Sequence, residues 1–385
     1  MKPKVKPDAN ASKYRIALVL QGGGALGAYQ AGVFQAMHEH ELAPDWIVGT
    51  SIGAINACLI AGNEPSVRVD RIKTFWDRVS HGDSVDLRQV PDMVRRFNSW
   101  FATLNATTRG VPGFFSPRIP NLFAMGLGVA PETASFYDSS DLRATLEELV
   151  DFDYLNAPGG TRLTVNAVKV TDGTLISFDN SRLRLGPEHV MASGALPPGF
   201  PPVRIDGDLY WDGGLYSNTP LETVLEDEPR ADTLCFMVDL WSAKGPEPTT
   251  LDEVQTRQKD VMFASRSKRH IDNYLKLHQL RRTLHRMHEK LPAKLRDAQE
   301  TQELAALGCD TTMHIVRLPY AGRDWHMASK DVNFSRGSIQ WRWEQGYNDA
   351  TRAIAHAGWT DFDRDDVGVV VHELLPKADE QRDKH

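Results

Sequence analysis

Three short segments of the chain carry residue types that could do chemistry. The first is Gly22-Gly23-Gly24-Ala25-Leu26-Gly27. Glycines let backbone N–H groups crowd around an anion at a helix N-terminus. The second is Gly49-Thr50-Ser51-Ile52-Gly53. A G-x-S-x-G pattern places a serine on a sharp strand-to-helix turn, with a helix N-terminus behind it that favours developing negative charge. Chance matches occur on the order of 0.1 times per chain of this length, so the flanking elements must carry the reading. The purely structural alternative is a serine N-cap. The third segment is Asp212-Gly213-Gly214, after Leu209-Tyr210-Trp211. It puts a carboxylate at a strand end, where α/β proteins keep their reactive groups. Alone it reads only as a turn.

A serine needs a base. Of 13 histidines, none lies in a clear strand-end loop. His270, His278, His285 and His288 share one basic helical segment, and His356 ends another helix. His189 is the least implausible of them. The glycine loop also matches the dinucleotide fingerprint G-x-G-x-x-G. That reading needs an acid at the end of the second strand to hold a ribose. Here that strand ends in Gly49-Thr50-Ser51, and Asp45 lies at its other end, which disfavours an oxidoreductase. Cys58, Cys235 and Cys309 are scattered, so neither a disulfide framework nor a thiolate zinc site is expected.

The elements around these segments are those of an α/β protein. Arg15 to Leu20 is a continuous apolar run, suited to a strand buried on both faces. Leu26, Tyr29, Val33, Phe34 and Met37 then recur at helical spacing up to about His40. Trp46-Ile47-Val48 forms the second strand, and a small-residue helix follows from Ile52 to about Ala61. This βαβ order predicts a parallel sheet. Ser140 is positioned to cap a helix over 141–150. Asp172-Gly173 marks a hairpin between the runs 162–168 and 174–178. Thr219-Pro220-Leu221-Glu222 carries a capping box with Pro at N1. Strands are expected at 234–240 and 314–318, a long helical segment from 251 to about 307 broken before Pro292, and a final helix from 338 to about 356.

With 44 Lys+Arg against 51 Asp+Glu, the 385-residue chain has a net charge of −7, which argues against a basic nucleic-acid binder. No run of about 18 apolar residues exists, and the basic, Pro-containing start leads into a strand rather than a signal-peptide core. A cytoplasmic protein is expected.

In their order, the three motifs resemble those of the patatin-like phospholipase family. Ala192-Ser193-Gly194-Ala195-Leu196-Pro197 and Phe200-Pro201-Pro202-Val203 also match a block that family carries before its aspartate. The resemblance covers about residues 14–240. It implies a three-layer sandwich with a mostly parallel central sheet and helices on both faces, followed here by a largely helical C-terminal extension. The expected organisation is a flexible tail over 1–13, a catalytic domain over 14–245 with 82–140 as a cap or insertion, a mainly helical extension over 246–376, and a flexible tail over 377–385. The implied activity is that of a serine lipid acyl hydrolase of phospholipase A, lysophospholipase or esterase type. In it Ser51 is the nucleophile and Asp212 the proton acceptor. The oxyanion hole comes from the loop of Gly22, Gly23, Gly24 and Gly27 and from the Ile52 amide, and no metal or cofactor is needed. Many members carry a basic residue in the glycine loop where this chain has Leu26. The rival readings are an interaction module on the same fold and the disfavoured oxidoreductase.

The expected partners are an acyl lipid or phospholipid and, peripherally, an anionic membrane on its inner face. A second copy of the chain is an alternative partner. The membrane expectation rests on Lys268, Arg269, Lys276, Arg281, Arg282, Arg286, Lys290 and Lys294 beside a stripe of Leu277, Leu280, Leu284, Met287 and Leu291. The bland alternative packs that stripe on the catalytic domain or on a second copy and leaves the cations solvated.

Overall fold

A computed structural model describes residues 14–81, 103–119, 128–321, 329–355 and 368–373. The expected tails at 1–13 and 377–385, and residues 82–102 and 120–127 of the expected insertion, lie outside them. The main sheet is built from β1 (Arg15–Leu20), β2 (Trp46–Gly49), β5 (Arg162–Lys169), β6 (Leu175–Asp179), β7 (Val203–Ile205), β8 (Asp208–Asp212), β9 (Thr233–Asp239), β10 (Met313–Pro319) and β11 (Val369–Glu373). A separate two-stranded ribbon joins β3 (Ser116–Pro117) to β4 (Tyr137–Asp138). The strand order is β11-β10-β9-β1-β2-β5-β8-β7, with β6 also pairing with β5. The run from β11 to β5 is parallel, and β6, β7 and β8 enter antiparallel.

Alternation along the central strands creates two cores. Leu18 and Leu20 of β1, Ile47 of β2 and Phe236 and Val238 of β9 face one core. Ala17 and Val19, Trp46 and Val48, and Cys235 and Met237 face the other. Both faces are apolar because helices cover both, as a parallel sheet requires. The first face carries α1 (Gly27–Glu39), α2 (Ile52–Ala61), α3 (Arg68–Val79), α4 (Ser140–Leu149), α5 (Pro187–Ser193) and α8 (Arg336–Ala355). The second is covered by α6 (Leu221–Leu225) and part of α7 (Leu251–Glu289). This is the three-layer α/β sandwich that the sequence implied.

Several local expectations change. Ser140 is already helical, and Asp138 accepts its amide at 2.8 Å. The capping box at Thr219 does not form, because Thr219 Oγ accepts from Gln21 Nε2 at 2.6 Å instead. The helical segment breaks before Pro292 as expected: the long helix ends at Glu289, and short helices follow at Ala293–Arg296 and Gln299–Ala305. Its leucine stripe is not an inward seam: Leu277, Leu280 and Met287 are 44%, 57% and 62% exposed. The buried face is Ile271, Tyr274 and His278, one residue out of phase with the stripe. The segment after 245 supplies the expected strand β10 and helix α8, and also β11, which the sequence did not signal. Helix α8 crosses α1 so closely that side chains at Gly32 and Gly346 would strike the Trp343 and Tyr29 carbonyls.

An ionic staple fastens the sheet at the start of its strands, away from the glycine loop. Asp227 accepts from Arg15 at 2.6 Å and from Arg162 at 2.9 Å. Both guanidiniums lie against the Trp46 ring, with centroid distances of 4.9 and 4.0 Å. Removing the buried carboxylate leaves Arg15 uncompensated, although Arg162 keeps Asp179 at 2.8 Å. Asp227→Ala should therefore cost about 3 kcal/mol in urea unfolding, with turnover per folded molecule unchanged. A loss under about 1 kcal/mol, the range of an exposed pair, would show that the staple is not structural.

Candidate active site

The three motifs meet at the C-terminal edge of the parallel strands. In the register, Leu20 of β1 pairs with Gly49 of β2, so the turns that follow leave the sheet side by side. The Thr50 amide donates to the Leu20 carbonyl at 3.1 Å. Ser51 sits at the N-cap of α2 with φ 57° and ψ −125°, a conformation that non-glycine residues adopt only under constraint. Its amide lies 3.1 Å from both the Ser193 carbonyl and hydroxyl oxygens, which gives the 192–197 block a physical role. A Cβ on Gly53 would lie 2.2 Å from the Leu20 carbonyl oxygen, and one on Gly22 would reach 3.0 Å from Ser51 Cβ. Neither position has room for a side chain.

Asp212 ends β8 and is buried. Its carboxylate accepts from the Gly214 amide at 2.7 Å, and the Ser51 side chain lies close enough to act on it. Burial pushes its pKa up to about 7, against the lowering effect of those two groups. The structure thus brings Ser51 and Asp212 together. Gly213 follows in a short turn packed against Asn166 of β5.

The loop from Gly22 to Gly27 is divided in its use. Gly22 N–H is taken by the Asn218 carbonyl at 3.1 Å, and Ala25 N–H by the Asp331 carbonyl at 2.8 Å. Among the described residues, the amides of Gly23, Gly24 and Ile52 have no acceptor. Of the expected donors, then, Gly22 is occupied. Gly27 serves packing, since it opens α1 directly against Ile52. Leu26 is fully buried in the core. His189 is engaged on its own helix: Nδ1 accepts from Gly186 N–H at 2.9 Å, and the ring packs on Phe178. Burial lowers its proton affinity.

Sequence reasoning missed Asn218, Trp241 and the role of Gln21. Asn218 Nδ2 and Trp241 Nε1 donate to the Gly22 carbonyl at 2.9 and 2.7 Å. Gln21 Oε1 accepts the amides of Leu240 and Trp241. None of these carries a local sequence signal, because their partners are 196 to 220 residues away. Beside Gly214 and Asn218 lies a cavity of about 250 Å³, lined largely by Leu196, Pro197, Leu215, Tyr216, Met262 and Phe263.

The fold and this site define a mixed α/β protein with a serine turn faced by a buried aspartate and a glycine loop. Comparison with known proteins specifies it further. The patatin-like phospholipase model matches residues 18–225, and a model described as patatin phospholipase matches residues 261–366. The first spans more than half of the chain, which belongs to the patatin-like phospholipase family. Lysophospholipase NTE1 of Candida glabrata is 27% identical over 235 residues, 60% of this chain and 11% of that protein. Patatin-like phospholipase domain-containing protein 7 of Mus musculus is 30% identical over 209 residues, 54% of this chain and 12% of that protein. The chain therefore spans only about a tenth of these relatives' length. The structure of VipD from Legionella pneumophila aligns over 89% of this chain and 67% of that one, with 13% identity and a TM-score of 0.39.

The raised Asp212 pKa has a consequence for stability. In the unfolded chain the carboxyl ionises near pH 4. In the fold it keeps its proton to about pH 7. Stability is therefore lost as pH rises from about 4 to about 7, and the penalty is constant above that. Asp212→Asn should raise the melting temperature at pH 8, and the gain should vanish toward pH 4. A gain independent of pH would mean that the carboxylate is not destabilised by burial.

Proposed function

We propose that this protein is a serine lipid acyl hydrolase that cleaves carboxylic esters through Ser51 and Asp212. The observation that carries the reading is the approach of the strained, helix-capping Ser51 to a buried carboxylate whose pKa is pushed up to about 7. A carboxylate is ordinarily a weak base, and burial makes it a stronger one near neutral pH. Asp212 takes the hydroxyl proton as Ser51 Oγ attacks the ester carbonyl. The amides of Gly23, Gly24 and Ile52 receive the oxyanion. The alcohol or lysolipid leaves with the proton from Asp212. Water, deprotonated by the same carboxylate, then releases the fatty acid and restores Ser51. No step needs a metal or an organic cofactor.

The apolar cavity beside Gly214 suits an acyl chain, with Met262 and Phe263 of α7 forming one wall. The substrate class is an acyl lipid or a lysophospholipid, in keeping with the names of the relatives. Leu26 leaves no cation in the loop for a phosphate, so recognition rests on the chain more than on the headgroup.

Ser51→Ala should abolish hydrolysis of a p-nitrophenyl acyl ester and labelling by a fluorophosphonate. A single deprotonation near pH 7 should govern kcat/KM, with activity rising as Asp212 ionises. Asp212→Asn should lose about 10³-fold or more, whereas His189→Ala should keep most of its activity. Substantial turnover by folded Ser51→Ala would remove the nucleophile, and loss in His189→Ala equal to the serine variant's would restore a triad.

Delivery to lipid is assigned to the outer face of α7 and the turns after it. Leu280, Met287 and Leu295 are exposed there beside exposed Lys276, Arg286, Lys290 and Lys294. Anionic headgroups attract such cations by about 1 kcal/mol each, and the leucines supply apolar contact. Sedimentation with phosphatidylglycerol vesicles should weaken with salt and fall in Leu280→Gln/Met287→Gln. Binding indifferent to salt and to both substitutions would show that this face is not the lipid contact.

A further inference from the structure

The segment after residue 245 touches the glycine loop through groups that the hydrolytic reading does not use. Lys330 and Asp260 form a buried ion pair at 2.7 Å, with side-chain exposures of 3% and 8%. Two charges so far from water are costly unless their geometry is held. Lys330 Nζ also lies 4.8 Å above the Trp241 ring centroid, and it is that indole whose N–H donates to the Gly22 carbonyl. Beside it, Lys259 reaches both Asp331 oxygens at 2.8 and 2.9 Å, and the Asp331 carbonyl accepts Ala25 N–H. Arg342 of α8, fully buried, donates to the Lys330 carbonyl at 2.8 Å and to the Asn333 carbonyl at 3.0 Å. The loop that carries Lys330 and Asp331 is thus held from both sides.

These contacts act on the direction of two peptide planes. In a trans peptide the C=O and the following N–H point in opposite directions. Fixing the Gly22 carbonyl with Trp241 and Asn218 therefore fixes the Gly23 N–H on the opposite side. Capturing Ala25 N–H on Asp331 anchors the other end of the loop and so limits how the Gly24 amide can turn. An oxyanion hole accelerates only if its donors are already aimed, and a glycine-rich loop has the most freedom to lose.

We propose that Asp260, Lys330 and Arg342 are positioning residues for the oxyanion loop, acting through the Trp241 indole and the Asp331 carbonyl. The segment after 245 is then a working part of the hydrolytic site, not an appendage. This rests on the hydrolase reading above, and the test separates the two.

Two variants probe the linkage in the full-length protein. Trp241→Phe keeps an aromatic ring under Lys330 but deletes the N–H that holds Gly22. Asp260→Leu/Lys330→Met removes both buried charges together, so that neither is left unpaired. For a p-nitrophenyl acyl ester, kcat should fall about ten-fold or more in each, with KM within two-fold of the parent. Affinity for an acyl trifluoromethyl ketone, whose hemiketal oxyanion needs the same amides, should fall by the same factor as kcat/KM. A merely structural role would not couple those two losses. Parent-like kcat and ketone affinity in both variants would overturn the proposal, as would losses that only follow the fraction of unfolded protein. Failure of the hydrolase reading looks different: the parent itself would leave Ser51 unlabelled by fluorophosphonate.

Discussion

The side-by-side exit of two turns from neighbouring parallel strands governs the rest of the molecule. Leu20 and Gly49 are register partners, and adjacent strands lie about 4.8 Å apart. The backbone after β1 and the backbone after β2 must therefore share a space that has no room for side chains. Glycines at 22 and 53 meet that demand, and Ser51 is driven to a positive φ within it. The neighbours follow from strand order. With β9 on one side of β1, Trp241 arrives beside Gly22. With β5 and β8 beyond β2, Asp212 arrives beside Ser51.

The electrostatics of the site are spare. Among the described residues, burial, the Gly214 amide and Ser51 set the proton affinity of Asp212, and no charged side chain contributes. A neighbouring cation would have lowered the pKa and weakened the base. Leu26, buried in the core, adds no charge to the loop. Fold stability is spent here on a carboxylate that would be more comfortable in water, the usual conflict between stability and activity at a reactive centre.

The charges that the site lacks lie one layer out. Asp227 with Arg15 and Arg162 fastens the start of the strands. Lys330 with Asp260 and Lys259 with Asp331 fasten the loop at their other end. The second cluster belongs to chain after residue 245, which also forms two strands of the main sheet and one wall of the apolar cavity. Ser51 and Asp212 come from chain before residue 245 and much of the support for the loop beside them from chain after it.

The sequence alone determined what is local. The apolar run of β1, the small-residue helix after Ser51 and the Asp172-Gly173 hairpin are written in periodicity and turn chemistry, and the structure has them within a residue or two. Ser51 and Asp212 were legible only through the three motifs taken together and the family they resemble, since Asp212-Gly213-Gly214 alone reads as a turn. Only the tertiary structure decided the rest. Thr219 abandons its capping box because Gln21, far away in sequence, offers a buried partner. The leucine stripe of α7 lies outside because Ile271, Tyr274 and His278 reach the sheet first. Asn218 and Trp241 pin the Gly22 carbonyl across about 200 residues of chain. Such contacts leave no mark on local sequence, since any segment that brings an N–H to that point in space would serve, and only the strand order says which segment does.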